Sequence, residues 1–274
     1  MIIIKIGGGK EINIKGIAID LKLFLEKNPN EKIVVVHGAN YLRDELAKKL
    51  NIEKKVLKSI KGFESVYSDE DSINLILMAY SGLRNKRIVE TFLQNNINAI
   101  GLTGIDGSLI KGQRNQGIRV NDNGKIKIIR DYSGKPKSVN IDLINLLLNN
   151  NYLPIISIPI LDENNFAINT ENDDVVALLN KELMANLIIS FIEAPGFLQD
   201  KNNSNSLIKK LSYNDLERLE QKVEGRMKRK IYSIKKLFEQ DPSNSKLNVI
   251  LADGRVENPL INALNENGTI ITKD

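Results

Sequence analysis

Residues 1–9 read Met1-Ile2-Ile3-Ile4-Lys5-Ile6-Gly7-Gly8-Gly9, an apolar run that carries one lysine and stops in three glycines. A short isoleucine run bounded by glycine predicts a strand buried on both faces, as in a parallel sheet. The pattern recurs. Ile33-Val34-Val35-Val36 ends at His37-Gly38-Ala39-Asn40, and Ala99 to Thr103 ends at Gly104-Ile105-Asp106-Gly107. Between these runs the apolar period is helical, over Ile14 to Lys27 with a stop at Asn28-Pro29-Asn30, over Leu42 to Leu50, and over Ser72 to Asn95 with a break expected near Gly82. Strand alternating with helix predicts an α/β fold with helices packed on the faces of its sheet.

Further along, Ile118 to Asn121 and Lys125 to Arg130 flank Asp122-Asn123-Gly124, which suits a tight hairpin turn. A helix is expected over Asn140 to Asn149, a strand over Leu153 to Ile160 interrupted by prolines, a helix over Asp173 to Leu183 and a strand over Leu187 to Ile192. Gln199 to Ser206 reads as a polar loop. Ser212-Tyr213-Asn214-Asp215 has capping-box spacing and opens a helix to about Val223. A helix over Arg226 to Gln240, a strand over Lys246 to Leu251, a helix over Pro259 to Leu264 and a strand over Thr269 to Thr272 complete the pattern.

Composition narrows the chemistry. Of 274 residues, 42% are hydrophobic and 27% charged, a globular balance, and no apolar run is long enough to span a membrane. Cysteine is absent, which excludes disulfides, thiolate zinc sites and a cysteine nucleophile, and the single histidine, His37, excludes multi-histidine metal sites within one chain. The opening residues lack the basic head and cleavage site of a signal peptide, so a cytoplasmic location is expected. Net charge is +5, but Lys111 to Lys137 alone holds eight basic residues against Asp122 and Asp131. That segment is either a solvated hairpin face or a docking surface for an acidic partner. Nucleic acid is disfavoured, since only Tyr132 interleaves with the charges.

Three glycine turns at strand ends, gathered on one sheet edge, would make an anion cradle. Gly7-Gly8-Gly9-Lys10 is not a Walker A loop, and no G-x-G-x-x-G fingerprint is present. Lys5, inside its apolar run, either faces an anion or lies on an edge strand, because a buried unpaired ammonium is costly. Lys230 falls three residues after Met227 and four before Ile234, so it borders the inward face of its helix and either snorkels or points in. Lys228, Lys235 and Lys236 read as solvated charges. Asn169 and Asp173 flank a helix start, where the bland role is capping and the functional one is for Asp173 to hold two cations.

Taken in order, these residues resemble the amino acid kinase family and its acetylglutamate kinase branch over nearly the whole chain. Lys5-Ile6-Gly7-Gly8 is similar to the opening motif, Val36-His37-Gly38-Ala39-Asn40 to the second glycine loop, and Asn98 to Gly107 to the third motif. Asn169 with Asp173 falls on Asn-x-x-x-Asp, and Met227-Lys228-Arg229-Lys230 on Met-x-x-Lys. Tyr67-Ser68-Asp69-Glu70, Asp131-Tyr132-Ser133-Gly134-Lys135 and Asp253 to Pro259 resemble the relatives that act on aminoadipate or glutamate attached to LysW, a small acidic carrier.

The resemblance implies a three-layer αβα sandwich around a mostly parallel sheet in two lobes. Residues 1–184 would hold the acid substrate and the transfer site, and residues 185–274 the nucleotide. It implies ATP with Mg²⁺ bridging the phosphates, no dedicated metal ligands, and transfer of the γ-phosphate to a carboxylate. Lys5, Lys230 and Asp173 are its catalytic group. Gly7, Gly8, Gly38 and Ala39 are its phosphate loop, with N–H donors from Gly8, Gly38 and Ala39, and Asn169 is a substrate contact. The basic segment 111–137 would meet an acidic carrier, and a homodimer is expected by analogy. Three positions depart from the pattern. Ala39-Asn40 replaces two glycines. Glu64 stands where relatives place an arginine for the substrate and Val66 where the carrier-linked relatives place a second, so either Arg43 or Lys61 compensates or the substrate presents an amine or hydroxyl there. Ser190 to Gly196 replaces a Ser-Asp-Val-x-Gly stretch, so its acidic contact is either lost or moved to Glu193. Free N-acetylglutamate as substrate, another acid, or a non-catalytic regulatory role are the alternatives.

Overall fold

Alternate residues of the first strand, β1 (Ile2–Ile6), point into two different cores. Ile3 joins Val34, Val36, Ile156 and Ile188 on one side, while Ile2, Ile4 and Ile6 join Val35, Ile155 and Ile189 on the other. Both faces are therefore covered, as the uninterrupted apolar runs predicted. Each fully buried isoleucine contributes about 1.5–3 kcal/mol relative to exposure. The computed structural model describes residues 1–53, 55–58, 64–122, 125–200, 203, 206–221, 225–240 and 246–273.

The chain continues through α1 (Ile14–Lys27), β2 (Ile33–His37), α2 (Asn40–Lys49), β3 (Val56–Lys58), β4 (Glu64–Val66) and α3 (Glu70–Ile76). A π-helical stretch, Leu77–Arg84, leads into α4 (Asn85–Gln94), β5 (Ala99–Thr103), β6 (Ile110–Arg114), β7 (Ile118–Asp122), β8 (Lys125–Ile129) and β9 (Gly134–Val139). Then come α5 (Ile141–Asn149), β10 (Leu153–Ser157), β11 (Ile160–Leu161), β12 (Ala167–Ile168), α6 (Asn172–Leu183) and β13 (Leu187–Ile192). The last elements are β14 (Lys210–Ser212), α7 (Tyr213–Glu220), α8 (Gly225–Gln240), β15 (Asn248–Asp253), α9 (Pro259–Leu264) and β16 (Thr269–Thr272).

The main sheet has the order β14-β16-β15-β13-β1-β2-β10-β5, and only the β15–β16 pair is antiparallel. Residues of α5, α6 and α8 pack on one face, and residues of α1, α4 and α9 on the other, which gives three layers, αβα. β1 is central, hydrogen-bonded to β2 and β13, so Lys5 is not on an edge strand. A smaller sheet, β12-β11-β6-β9, and the ribbons β3–β4 and β7–β8 complete the described strands. Among the described residues no helix is long and apolar enough to cross a membrane.

Local chemistry sets several boundaries. The Asn13 side chain accepts from the Gly16 N–H at the start of α1, Asp69 accepts from Ser72 at α3, and Ser212 with Asp215 forms the expected capping box. Two expectations changed. The helix does not break at Gly82 but widens into the π stretch, with Gly82 exposed inside it. Leu153 to Ile160 is not one strand, since β10 ends at Ser157 and Ile160 begins β11 in the smaller sheet. The turn residues Asn123 and Gly124 lie outside the described residues, as does part of the 199–206 loop.

Candidate active site

Register places the first two charged groups. Lys5 of β1 lies opposite Ser190 of β13, and both side chains belong to the sheet face covered by α6 and α8. From α6, the Asp173 carboxylate accepts a short hydrogen bond from Lys5 Nζ. From α8, Lys230 Nζ lies 3.5 Å from the same Asp173 oxygen and donates to Ser190 Oγ at 3.0 Å. Both lysines are mostly buried, with side chains 12% and 17% exposed. Asp173 is therefore a shared counter-ion, and the N-cap residue of its helix, Glu171, makes no side-chain cap bond among the described residues.

The electrostatics follow from that crowding. Burial alone would raise Asp173, but the charges of Lys230 and Lys5 outweigh it and hold the carboxyl well below the usual carboxylate range. Burial pushes Lys230 down to about 8, with Asp173 opposing the shift and Lys5 adding to it. The site thus holds two amines and one carboxylate, a positive excess in a confined cleft that suits an anion.

The glycine turns of β1 and β2 meet beside this cleft. A Cβ on Gly8 would lie 2.7 Å from the Asn40 nitrogen, and one on Gly38 would lie 2.9 Å from the Gly8 nitrogen, so only glycine lets the two loops touch. Gly38, expected to donate to phosphate, instead gives its N–H to Ile6 O at 2.9 Å, and Gly7 gives its own to Phe191 O at 3.0 Å. Both continue the strand pairing, and their part is to permit close approach. Among the described residues, the Gly8 N–H has no protein acceptor and stands open beside the start of α2, whereas the Ala39 N–H faces the Tyr80 hydroxyl and the Tyr41 N–H goes to Gly8 O at 3.0 Å. Asn40 is held by Tyr80 Oη, which donates to its side-chain oxygen. The third glycine turn does not join them. Gly104 packs against Pro159 and Ile160, Asp106 closes back on Thr103, and β10 separates this turn from β2.

His37 is fully buried behind the second loop. Its Nε2 accepts from the Asn85 amide at 3.1 Å and its Nδ1–H reaches Gly38 O at 3.4 Å. Burial pushes it down to about 3, so it is a neutral strut and not an acid or base. Glu193 folds over Gly9 and accepts the Glu11 N–H at 2.7 Å.

Around Asn169, three separated motifs come together. Asn169 Nδ2 donates to Ser68 Oγ at 3.1 Å, its N–H to Tyr132 O at 2.7 Å, and its carbonyl accepts from Gly134 at 2.9 Å. Buried Asp131 accepts from the Ser68 and Ser133 N–H groups. The Arg114 guanidinium stacks 4.1 Å from the Tyr132 ring centroid. Glu64 begins β4, but its side chain lies outside the described residues, as do Lys61 and the Met227 side chain. Arg43 is already paired with Asp44 at 2.7 Å.

Sequence reasoning missed a second cluster. Asp174 accepts from Lys135 of β9 at 2.6 Å and also from Lys236 of α8. Lys235 pairs with Glu220 at 2.9 Å. Neither Lys235 nor Lys236 is the plain solvated charge expected, because packing against α7 and α6 brings carboxylates to them.

The profile of the Amino acid kinase family matches residues 1–250. A [LysW]-aminoadipate kinase of Thermus thermophilus is 34% identical over 274 residues, covering 99% of this chain and 100% of that one. A [LysW]-aminoadipate/[LysW]-glutamate kinase of Saccharolobus solfataricus is 32% identical, covering 99% of each. Among solved structures, a carbamate kinase from Giardia lamblia bound to AMP-PNP superposes with a TM-score of 0.64 at 15% identity, covering 100% of this chain and 98% of that one. The isopentenyl phosphate kinase of T. acidophilum gives 0.59 at 15%, covering 99% of each. These structural likenesses bear on the fold alone.

Proposed function

The chain belongs to the amino acid kinase family, and from that premise we propose that it moves the γ-phosphate of ATP onto the side-chain carboxylate of aminoadipate or glutamate carried on a LysW-type protein. The observation that carries this reading is the convergence of Lys5 and Lys230 on one oxygen of Asp173, beside the open N–H group of Gly8.

The chemistry needs no strong base, since the attacking carboxylate is already ionised at neutral pH. One carboxylate oxygen forms a bond to the γ-phosphorus while the bond from that phosphorus to the β–γ bridging oxygen breaks. The electron pair leaves on ADP, and no proton moves. Catalysis is then positioning and charge neutralisation. Lys5 would sit against the transferring phosphoryl group and Lys230 on the leaving side, with Asp173 fixing both. Gly8 would donate to a phosphate oxygen, and Gly7 and Gly38 would let the loops close. Asn169 would hold the acceptor. ATP fits this donor set. Mg²⁺ would come with the phosphates and shield their charge, and we assign no protein ligand to it. Residues 1–184 would hold the acid and the transferring phosphoryl group and residues 185–274 the rest of the nucleotide, with Lys230 reaching across from the second segment.

The carrier reading has its own support. Lys111, Arg119, Lys125, Lys127, Arg130 and Lys137 are exposed, and on β8 Ile126 and Ile128 are 67% and 59% exposed. Lysine and isoleucine alternate along that strand, so one face is basic and the other apolar. Such a ribbon suits an acidic protein better than a free amino acid.

Hydroxylamine trapping tests the proposal. Purified protein with ATP and carrier-linked aminoadipate should yield a hydroxamate on the carrier. Hydroxamate formed only from free N-acetylglutamate removes the carrier from the reading, and none from any acid removes the kinase.

A further inference from the structure

We infer that Asp174 is a positioning residue: with Lys135 and Lys236 it forms a latch that fixes α8, and so Lys230, against the site. The inference rests on the kinase reading for its consequence but not for its geometry.

Asp173 and Asp174 are consecutive in the first turn of α6, so their side chains diverge by about 100° around the helix. Asp173 takes Lys5 and Lys230. Asp174, with a side chain only 11% exposed, takes Lys135 and Lys236. Each carboxylate therefore joins α8 to a different neighbour, Asp173 to β1 and Asp174 to β9 of the smaller sheet.

The two contacts on α8 are six residues apart, roughly 9 Å along the helix axis. Two such contacts on one helix restrict its sliding and turning more than either does alone. Two features make the second contact strong enough to matter. The Asp174 carboxylate is nearly buried, so leaving it unpaired is costly. It also receives two amines from different elements, and losing either leaves the other in place. The apolar side of α8, with Ile231, Ile234, Leu237 and Phe238, supplies most of the adhesion, and Lys235 ties the helix to Glu220 of α7, while the contacts with Asp173 and Asp174 orient the face that carries Lys230.

β9 carries the consequence further. It begins at Gly134, whose N–H donates to the Asn169 carbonyl, and Lys135 follows directly. One carboxylate thus ties the strand next to the acceptor-side residues to the helix that presents Lys230. Asp174 touches neither phosphate nor acid in this reading, and it acts through its lysines.

The test uses the full-length protein. Asp174→Asn should lower kcat by roughly tenfold while KM for ATP changes less than about threefold, because a displaced Lys230 weakens the transition state more than ground-state binding. Amide hydrogen exchange over 225–240 in the free protein should rise, with exchange in β1 and β13 unchanged. Lys236→Gln should reproduce part of both effects, and added to Asp174→Asn it should contribute little more. If Asp174→Asn fails to fold, Lys236→Gln and Lys135→Gln carry the test, since each breaks one arm. Folded variants with wild-type kcat and unchanged exchange in α8 overturn the inference. Should the wild-type protein phosphorylate no acid, the kinase reading falls, while the exchange measurement still decides the latch.

Discussion

Replacing Asp173 by asparagine keeps the shape of the side chain and removes the one carboxylate shared by Lys5 and Lys230. Breaking a buried pair by deleting one partner typically costs about 3–5 kcal/mol. Relief is available here. Lys230 is already pushed down to about 8 with Asp173 opposing the shift, so without that carboxylate it gives up its proton more readily still. The variant should shed that proton before it holds two unpaired ammonium groups side by side. We therefore expect a stability loss of about 2 kcal/mol, below the usual range, and a melting temperature about 4–8 °C lower. Activity should suffer more. With Lys230 neutral and Lys5 unanchored, both charges proposed to face the polyphosphate are lost or displaced, and kcat/KM for ATP should fall about 10²–10³-fold. Calorimetry and hydroxamate formation measure the two effects on one preparation. The acid limb should flatten as well. A carboxyl held below its ordinary value stabilises the fold above the unfolded value of about 3.9, and that stability fades as pH falls toward the folded value. Wild-type melting together with kcat/KM within about twofold of wild type would refute the shared counter-ion.

Three further outcomes are expected. Wild-type kcat/KM for ATP should decline above about pH 8 as Lys230 loses its proton. Lys230→Arg, normalised to its own maximum, should lose that limb because arginine stays charged. Stability should move the other way. The unfolded lysine keeps its proton to about 10.4, so this group favours the folded state increasingly as pH rises through that window, measured as melting temperature against pH. Gly8→Ala places a Cβ 2.7 Å from the Asn40 nitrogen, so it should raise KM for ATP and destabilise by about 1–3 kcal/mol, read by kinetics and denaturant unfolding. Lys125→Glu with Lys127→Glu should raise KM for the carrier-linked acid and flatten its salt dependence while leaving KM for ATP unchanged.

Much of this was legible because it is local. Ile2–Ile6, Ile33–His37 and Leu187–Ile192 could be read as strands, since a segment covered on both faces has no polar residues to spare. The ends of α1 and α7 were set by asparagine, proline and a serine–aspartate box within a few residues. Lys5 and Lys230 were visible as charges in apolar settings. The rest depends on distance along the chain. Asp174 meets partners 39 and 62 residues away, and nothing near Lys236 in sequence marks it off from Lys235 or Lys228. The glycines of the third turn resembled the first two, yet strand order, which inserts β10 beside β2, set that turn apart. The engaged N–H groups of Gly7 and Gly38 are a matter of strand register, and no residue pattern in the sequence marks the π stretch through Gly82.

The central claim is direct attack of a side-chain carboxylate on the γ-phosphorus. Carrier-linked aminoadipate labelled with ¹⁸O in that carboxylate should be phosphorylated by the purified protein, and hydroxylamine should then release inorganic phosphate bearing one ¹⁸O from the substrate. Phosphate released without ¹⁸O, while ATP is consumed, would contradict the account.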